Sequence, residues 1–301
     1  MEINDKPFKG NGFHLAGVIP CAGQPLEYGM EWPDFMMPVA PNYTMLEAAI
    51  LECAYVGCDT IWICLHHDSA AFIRYRIGDF VQDPVWYHRK HEKFPSEHRK
   101  RIPIYYVPVH PKDRDRRDCL SWSVIYGALN AFKVSANISK WLIPDKYYVS
   151  FPYGMFNPTI LREFRRKISS ANNFYLTHNG MSPENNIPTS FTFGKDEFVR
   201  FRRKVREGTG EHINFVEEGK LAPTEKLPLE ERYSARWFDL KDVFVDLDIK
   251  QDNSVDTDEF YDLRTWAEYK NYLSSDLSTV IRRPKHMKSS EFHRVGLDIQ
   301  E

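Results

Sequence analysis

The chain has 301 residues, of which 42% are hydrophobic, 14% aromatic and 27% charged, and its formal net charge is −2. This length and composition favour one folded domain with a large core and exclude a disordered chain. The near-neutral charge gives no general electrostatic reason to bind nucleic acid. No apolar run approaches the roughly 20 residues that cross a membrane, and the N-terminus lacks the apolar part of a leader peptide.

The five cysteines are odd in number and mostly lie inside apolar runs. This usage favours buried thiols in a reducing compartment over a disulfide framework. The sequence therefore predicts a cytoplasmic protein without a membrane partner.

The first half of the chain alternates predicted strands with predicted helices. The strands are predicted at 13–21, 59–67, 102–110 and 146–154, and the helices at 45–57, 69–81, 118–132 and 158–169. Thr44 and Glu47 have the spacing of a capping box at the start of the first helix, and Gly57 is expected to end it. The alternation is typical of βαβ units and predicts an α/β fold with a mainly parallel sheet.

The second half is less regular. Short β-like pieces are predicted at 172–178, 190–194, 212–218, 235–240 and 242–249, followed by a helix at 265–277. From Arg282 the sequence is polar and basic, which is typical of a tail that is poorly ordered or bound to a partner. We therefore predict a single domain over 1–281 and a basic C-terminal tail over 282–301.

Basic residues form local clusters despite the balanced total charge. The clusters lie at 99–101, 112–117, 162–167, 200–206 and 282–288. Each is consistent with a solvated face or a helix end. If several share one face, they favour an anionic acceptor, which includes nucleic acid.

The order of several short motifs resembles that of the sugar-1-phosphate nucleotidyltransferases. The motifs are the Ala-Gly loop after the first strand, "DFMMPV" (34–39), "GCDTIWIC" (57–64), "YYVSFPYGMFNPTILREF" (147–164) and "YDLRTWAEYKNYL" (261–273). That family shares its fold with the nucleotide-sugar glycosyltransferases of the GT-A class. The resemblance implies a GT-A-like αβα sandwich and covers about the first 170 residues and the last 40 of the predicted domain.

In this family the first loop wraps a nucleotide, which assigns nucleotide-binding roles to Ala22, Gly23 and Gln24. Glycine lets the backbone approach a ligand, and backbone N–H groups bind phosphate oxygens. The family's arginine is missing from this loop, and Asp34 stands where the family has a lysine.

A basic loop that follows the third predicted strand is the candidate source of the missing positive charge. Ligands of open α/β folds bind at the carboxyl edge of the sheet, where this loop is expected to lie. Arginine binds phosphate in two-pronged fashion. We therefore assign Arg114 to nucleotide binding and Arg116 and Arg117 to catalysis; the alternative is a loop of salt-bridged surface residues.

The resemblance also implies Mg²⁺ or Mn²⁺ as cofactor. Asp262 matches the second metal-binding aspartate of the family and is assigned to metal binding and catalysis, whereas Met155 replaces the first. Asp246 and Asp248, two residues apart on a predicted strand, share a face and are a further candidate metal pair. The alternative is a solvent-facing pair on an edge strand.

A zinc site is the less favoured interpretation of a second group of residues. Cys58, Cys64, His66 and His67 lie along a predicted strand, so four ligands cannot converge on one ion. We expect these residues to be structural.

Three functions remain open at this stage. The first is a nucleotidyltransferase that joins a nucleotide to a sugar phosphate. The second is a GT-A glycosyltransferase that moves a sugar from a nucleotide-sugar to an acceptor. The third is a non-catalytic member of the fold that binds such ligands. All three predict a nucleotide or nucleotide-sugar as partner.

Overall fold

The computed structural model describes residues 13–23, 26, 28–84, 101–114, 117–208, 212–213, 225–226 and 239–284. The strands are β1 Leu15–Pro20, β2 Pro38–Ala40, β3 Tyr43–Thr44, β4 Thr60–Leu65, β5 Phe80–Gln82, β6 Arg101–Pro108, β7 Lys146–Val149, β8 Gly154–Met155, β9 Tyr175–Thr177, β10 Phe191–Phe193, β11 His212–Ile213, β12 Glu225–Lys226, β13 Ser254–Asp256 and β14 Tyr261–Asp262. The helices are α1 Met45–Val56, α2 His67–Ile77, α3 Pro111–Arg114, α4 Leu120–Ile138, α5 Arg165–Ile168, α6 Lys195–Gly208, α7 Leu240–Val243, α8 Trp266–Leu273 and α9 Asp276–Val280.

Eight of these strands form the central sheet in the order β13-β9-β10-β7-β1-β4-β6-β5. The strand β1 pairs in parallel with both β4 and β7, and β4 pairs in parallel with β6. The strand β10 is antiparallel to β7 and β9, and β5 is antiparallel to β6. The prediction of a mainly parallel sheet is confirmed, and the parallel pairing of the first two predicted strands aligns their carboxyl ends.

Helices cover both faces of the sheet. The strand β1 directs Leu15 and Ile19 into one apolar cluster, with α1, α2 and α8, and Ala16 and Val18 into the other, with α4, α6 and α7. Successive side chains of a strand point to opposite faces, so a strand that is apolar throughout is buried on both sides. The architecture is the αβα sandwich that the motifs predict.

The start and end of α1 form as predicted. The Thr44 side chain accepts a hydrogen bond from the Glu47 backbone N–H, and the Glu47 carboxylate accepts one from the Thr44 backbone N–H. Gly57 ends the helix with a φ of +93°, a conformation that glycine adopts at little cost. All twelve residues of α1 are buried, so this helix lies inside the sandwich and not on its surface.

The cysteines lie in the core. All five are within the described residues, all are buried, and none forms a disulfide. The same part of the chain contains no helix that is long and apolar enough to cross a membrane.

The predicted strand at 242–249 is wrong. The chain forms α7 up to Val243 and then turns, with Asp246 at a φ of +59°. Leu240, Val243 and Phe244 are buried at helical spacing, and Glu184 accepts a hydrogen bond from the Leu247 N–H. Core packing therefore overrides the alternating pattern.

Other predicted elements differ from the structure in their bounds. The predicted helix at 158–169 is a 3₁₀ turn at Pro158–Arg162 followed by α5, and the one at 265–277 divides into α8 and α9. Of the β-like pieces, 235–238 lies outside the described residues, and only His212–Ile213 is described from 212–218.

Arg283, two residues past the predicted domain end at 281, contacts α1. The Arg283 guanidinium lies 3.2 Å from a carboxylate oxygen of Glu47, which is only 2% exposed. Arg76 also pairs with this buried carboxylate, at 3.1 Å, so Arg283 is its second charged partner. Residues 285–301 lie outside the described residues.

Candidate nucleotide site at the carboxyl edge of the sheet

The first loop is hydrogen-bonded to the end of the neighbouring strand. The backbone N–H groups of Cys21 and Ala22 both donate to the Cys64 carbonyl, at 2.7 and 2.9 Å. The Ser123 hydroxyl donates to the Ala22 carbonyl. The N–H of Ala22, expected to face phosphate, is thus engaged in holding the loop, and Ala22 itself is buried.

Gly23 brings the loop against the start of α4. Its φ is +150°, and a Cβ at this position would lie 2.9 Å from the Leu120 backbone nitrogen and 3.0 Å from the Cys119 carbonyl carbon. Only glycine fits this close approach. The 19-residue helix α4 begins here, and a helix N-terminus is an electropositive position that favours anions.

Two buried donors beside this helix start have no hydrogen-bond partner among the described residues. They are the Nε of Arg117 and the indole Nε1 of Trp122. The Arg117 guanidinium lies 4.6 Å above the Trp122 ring, so the two side chains adjoin each other. Buried polar groups are nearly always paired in folded proteins, by protein, water or ligand. These donors are the strongest sign of a ligand near the helix start.

A histidine and a carboxylate meet at the same edge. His66 directly follows β4 and Asp118 precedes α4, and the His66 Nε2 lies 2.9 Å from an Asp118 oxygen. Their side chains are 26% and 17% exposed, so the pair is accessible to a ligand. The residues considered for zinc are therefore not gathered around an ion: His66 pairs with Asp118, and Cys64 is buried in the core.

The predicted cationic residues of the basic loop have different surroundings. Arg114 forms a 2.8 Å ion pair with Asp68, with side chains 49% and 73% exposed, which is a solvated surface pair. Arg117 lies at the site, as described above. Arg116 and, in the first loop, Gln24 are outside the described residues.

Asp34, which stands where the family has a lysine, closes the first loop. Its carboxylate accepts a 2.8 Å hydrogen bond from the backbone N–H of Leu26. Its role in this structure is to fix the turn of the chain between β1 and β2. The hydrogen bond to Leu26 explains why a carboxylate occupies this position, and no contact to phosphate is needed to account for it.

The closing segment around Asp262 joins the same edge. The strand β14 pairs antiparallel with β8, which sets Asp262 opposite Gly154 and Tyr261 opposite Met155. Tyr28 of the first loop donates its hydroxyl hydrogen to the Leu263 carbonyl. The first loop, the chain after β7 and the closing segment, residues 261–265, are thus in contact with one another. Together they form one wall of the candidate site.

The residues around Asp262 do not fit a metal ion. Met155 is 2% exposed and packs in the apolar core, and the space beside Gly154 is filled, since a Cβ there would lie 2.4 Å from the Pro188 carbonyl oxygen. Both oxygens of Asp262 are bound by the Arg264 guanidinium, at 2.8 and 2.5 Å. Mg²⁺ and Mn²⁺ require several hard oxygen ligands, which this position does not offer.

The second candidate metal pair is also engaged. Asp246 lies 3.2 Å from the Lys204 ammonium and Asp248 lies 2.8 Å from that of Lys250. Both carboxylates are more than 70% exposed, and because the predicted strand is absent they do not share a strand face. Within the described parts of the chain, no cluster of three histidines, cysteines or carboxylates has the geometry of a metal site.

A buried carboxylate lies below the closing segment. Glu52 of α1 accepts hydrogen bonds from the hydroxyls of Tyr148, Ser150 and Ser190. Burial raises the pKa of Glu52 to about 7, although these three hydrogen bonds lower it in part. Glu52 is among the residues that line a cavity of about 330 Å³, bounded by α1 and the chain at 152–159. Its hydroxyl partners come from β7 and from the chain before β10, so its role is to join these strands.

The comparisons with known proteins address the fold. No protein-family profile and no curated protein sequence matches the chain. A Bacillus anthracis protein assigned as a glucose-1-phosphate thymidylyltransferase, crystallised with sucrose, is similar in structure at a TM-score of 0.53 and 12% identity, over 91% of this chain and 98% of that one. The chain has the fold of the sugar-1-phosphate nucleotidyltransferases, as its motifs predict.

Two further solved structures are similar at lower scores. A UDP-glucose pyrophosphorylase with UDP-glucose has a TM-score of 0.48 and 10% identity, over 89% of this chain and 98% of that one. A Mycobacterium tuberculosis protein with manganese has a TM-score of 0.40 and 13% identity, over 87% and 99%.

Sequence reasoning missed the pairing of His66 with Asp118 and the unpartnered indole of Trp122. His66 had one available signal, because it directly follows a buried strand and so had to lie at the carboxyl edge. Trp122 gave no signal, because a tryptophan on an amphipathic helix is indistinguishable from a core residue until its neighbours are known.

Proposed function

We propose that this protein is a nucleotide- or nucleotide-sugar-dependent transferase that binds the phosphates of its ligand at the start of α4. The observation that carries the proposal is the pair of buried donors on Arg117 and Trp122, beside a helix start that Gly23 approaches closely. Preorganised donors bind an anion without a reorganisation cost.

The residues at this edge have separable roles in the proposal. Gly23 allows the first loop to pack closely against the α4 start, and Arg117 binds the phosphate oxygens. His66, oriented by Asp118, faces the same edge and holds or transfers a proton, because a carboxylate partner fixes the tautomer and orientation of an imidazole. Ala22, which the sequence analysis assigned to nucleotide binding, has a structural role in this proposal: its hydrogen bonds to Cys64 and Ser123 hold the first loop in place.

The proposed reaction is nucleotidyl transfer. A phosphate oxygen of a sugar phosphate attacks the α-phosphorus of a nucleoside triphosphate, the bond to the β-phosphate oxygen breaks, and pyrophosphate leaves. Positioning and charge stabilisation supply most of the rate in phosphoryl chemistry. The structural neighbour from Bacillus anthracis is assigned to this class of reaction.

A second candidate function is ligand binding without catalysis. The pairing of Asp262 with Arg264 favours it, because the carboxylate that the family resemblance assigns to metal and catalysis is already neutralised. Glycosyl transfer, the remaining alternative, shares the nucleotide-sugar ligand with this candidate. A large anionic acceptor for the basic clusters stays a prediction.

The test is product analysis with a set of ligands. Release of pyrophosphate from a nucleoside triphosphate and a sugar 1-phosphate supports nucleotidyl transfer. Release of a nucleoside diphosphate from a nucleotide-sugar supports glycosyl transfer. Saturable binding with neither product supports the non-catalytic candidate, and the absence of binding by any nucleotide or nucleotide-sugar rejects the proposal.

Two arginine variants locate the site. Arg117→Ala removes the guanidinium and its unpartnered Nε, and we expect the ligand to bind about tenfold or more weakly, since a charged hydrogen bond contributes about 1.5 to 3 kcal/mol. Arg114→Ala is the matched control, because it removes an equal charge from the same loop at an exposed pair with Asp68. Equal losses in the two variants would mean that the site is not at the α4 start.

A further inference from the structure

Asp262 and Arg264, two residues apart in the chain, form a bidentate ion pair. The Arg264 Nε lies 2.8 Å from Asp262 Oδ1 and 3.1 Å from Oδ2, and Nη2 lies 2.5 Å from Oδ2. The Arg264 backbone N–H also donates to Oδ1 at 3.3 Å. Every oxygen of this carboxylate is therefore directed at the arginine two residues later.

The backbone between the two residues is fixed on both sides. Leu263 is fully buried, its N–H donates to the Tyr153 carbonyl at 2.7 Å, and its carbonyl accepts the Tyr28 hydroxyl. Arg264 Nη2 also donates to the Asn186 carbonyl at 2.5 Å. The guanidinium is thus held in place before any ligand arrives.

One nitrogen of Arg264 remains available. Its Nη1 makes no hydrogen bond within the described part of the chain, whereas Nε and Nη2 do. The side chain is 22% exposed and that of Asp262 24%, so the pair lies at the surface of the wall and not in the core. An arginine fixed in this way presents a donor and a positive charge to an anion.

We propose that Arg264, positioned by Asp262, occupies the place of the divalent cation, so that the protein binds the phosphates of its ligand without a metal ion. This inference rests on the proposed nucleotide site, to which the Tyr28 contact connects Arg264. Asp262 is then a positioning residue and not a metal ligand.

A divalent cation at Asp262 meets two obstacles. It would have to break several hydrogen bonds to the guanidinium, and it would then lie within a few ångströms of that positive charge, which repels it. Met155 offers no oxygen in compensation. The local chemistry therefore favours the internal cation over an external one.

The first experiment is calorimetric titration of the full chain with ADP-, GDP-, UDP- and dTDP-glucose, each in excess MgCl₂ and again in excess EDTA. For the sugar nucleotide that binds, we expect dissociation constants that agree within about threefold, which is less than 1 kcal/mol. Binding that is lost in EDTA and restored by Mg²⁺ would overturn the inference and leave the proposed function standing.

The second experiment exchanges the internal cation for an external one. Arg264→Gln releases the Asp262 carboxylate, so we expect weaker binding in EDTA, by about tenfold, and recovery in MgCl₂. Asp262→Asn leaves Arg264 unpositioned, so we expect weaker binding that Mg²⁺ does not restore. Arg203→Gln, which breaks an exposed pair with Glu207, is the control for loss of charge and should change neither value.

A metal titration decides the inference even if none of the four sugar nucleotides binds, a result that counts against the proposed function alone. Mn²⁺ binding is followed by electron paramagnetic resonance in the wild type, Arg264→Gln and the double variant Arg264→Gln/Asp262→Asn. Asp262 freed of Arg264 is a single carboxylate that water must complete, so we expect weak Mn²⁺ binding, at millimolar concentration, in the single variant; its loss in the double variant shows that Arg264 blocks Asp262. Equal Mn²⁺ binding in the wild type and Arg264→Gln would overturn the inference.

Discussion

Tyr28 donates its hydroxyl hydrogen to the carbonyl of Leu263, 235 residues further along the chain. The Tyr28 ring also meets Trp266 and Tyr269 edge-to-face, at centroid distances of 5.6 and 5.7 Å. This contact sets the first loop against the closing segment and so defines the distance between the two halves of the candidate site. Aromatic packing keeps the ring in place even when the hydroxyl is removed.

Tyr28→Phe should therefore loosen the loop and preserve the fold. We expect a loss of about 1 kcal/mol in unfolding free energy, typical of one buried hydrogen bond, together with weaker binding of the sugar nucleotide. Tyr106→Phe is the matched control, because its hydroxyl donates to the Gly78 carbonyl at the far edge of the sheet. Urea unfolding and calorimetry measure both values, and equal binding in the two variants would contradict the prediction.

Gly23→Ala should displace the first loop from the α4 start. A positive φ costs a non-glycine residue about 1 to 3 kcal/mol, and here the added Cβ would also lie 2.9 Å from the Leu120 nitrogen. Gly29 of the same loop has a φ of +60° and open space around its Cα, so Gly29→Ala carries the backbone cost alone. We expect Gly23→Ala to be the less stable of the two variants, and we expect a loss of ligand binding in Gly23→Ala only. Retained binding there would remove the helix start from the site.

Glu52 predicts a pH dependence of stability. Its pKa is raised from 4.5 to about 7 in the folded state, chiefly by burial, so its contribution is complete below the unfolded value and is lost as the pH rises through 7. Glu52→Gln has no such titration. Relative to this variant, the wild type should lose up to about 3 kcal/mol between about pH 5 and pH 8.

Urea unfolding at the two pH values measures the Glu52 effect. Glu207→Gln, which removes a carboxylate from an exposed ion pair, is the control and should follow the wild type. If Glu52→Gln and the wild type lose stability in parallel, the carboxyl of Glu52 does not titrate in this range.

Asp246 and Asp248 should contribute to neither metal nor ligand binding. Both form exposed pairs with lysines, and such pairs contribute at most about 1 kcal/mol to stability. The double variant Asp246→Asn/Asp248→Asn should bind Mn²⁺ and sugar nucleotides as the wild type does, by the same resonance and calorimetric titrations. Reduced Mn²⁺ binding would return these residues to the list of metal ligands.

The parts of the fold that depend on local pattern could be predicted from the sequence. The alternation of strands and helices gave the parallel sheet, and the Thr44–Glu47 spacing gave the capping box, because each rests on residues that are close in the chain. The strand at 242–249 failed because Leu240 and Phe244 pack at helical spacing against the core.

The chemistry of the candidate site was less accessible to sequence reasoning. Asp34 and Asp262 occupy positions at which the family resemblance implies contacts to phosphate and to metal. In the structure, Asp34 instead accepts a hydrogen bond from Leu26, and Asp262 pairs with Arg264. Which partner a carboxylate takes depends on side-chain geometry set by the whole fold. The pairing of His66 with Asp118 joins residues 52 positions apart and has the same origin.

The packing of α8 onto the start of the domain also constrains how the chain folds during synthesis. The hydroxyls of Tyr269 and Tyr272 donate to the carbonyls of Pro38 and Val39, and Arg283 neutralises Glu47. While translation proceeds, the face of β2 that α8 covers waits for more than 200 residues, as the 233-residue separation of Tyr272 from Val39 shows, whereas Glu47 has an earlier partner in Arg76, at 3.1 Å. A nascent chain that stops before α8 exposes this face, which makes it a substrate for chaperones and proteases. The last long helix is therefore the element that completes the packing of the first.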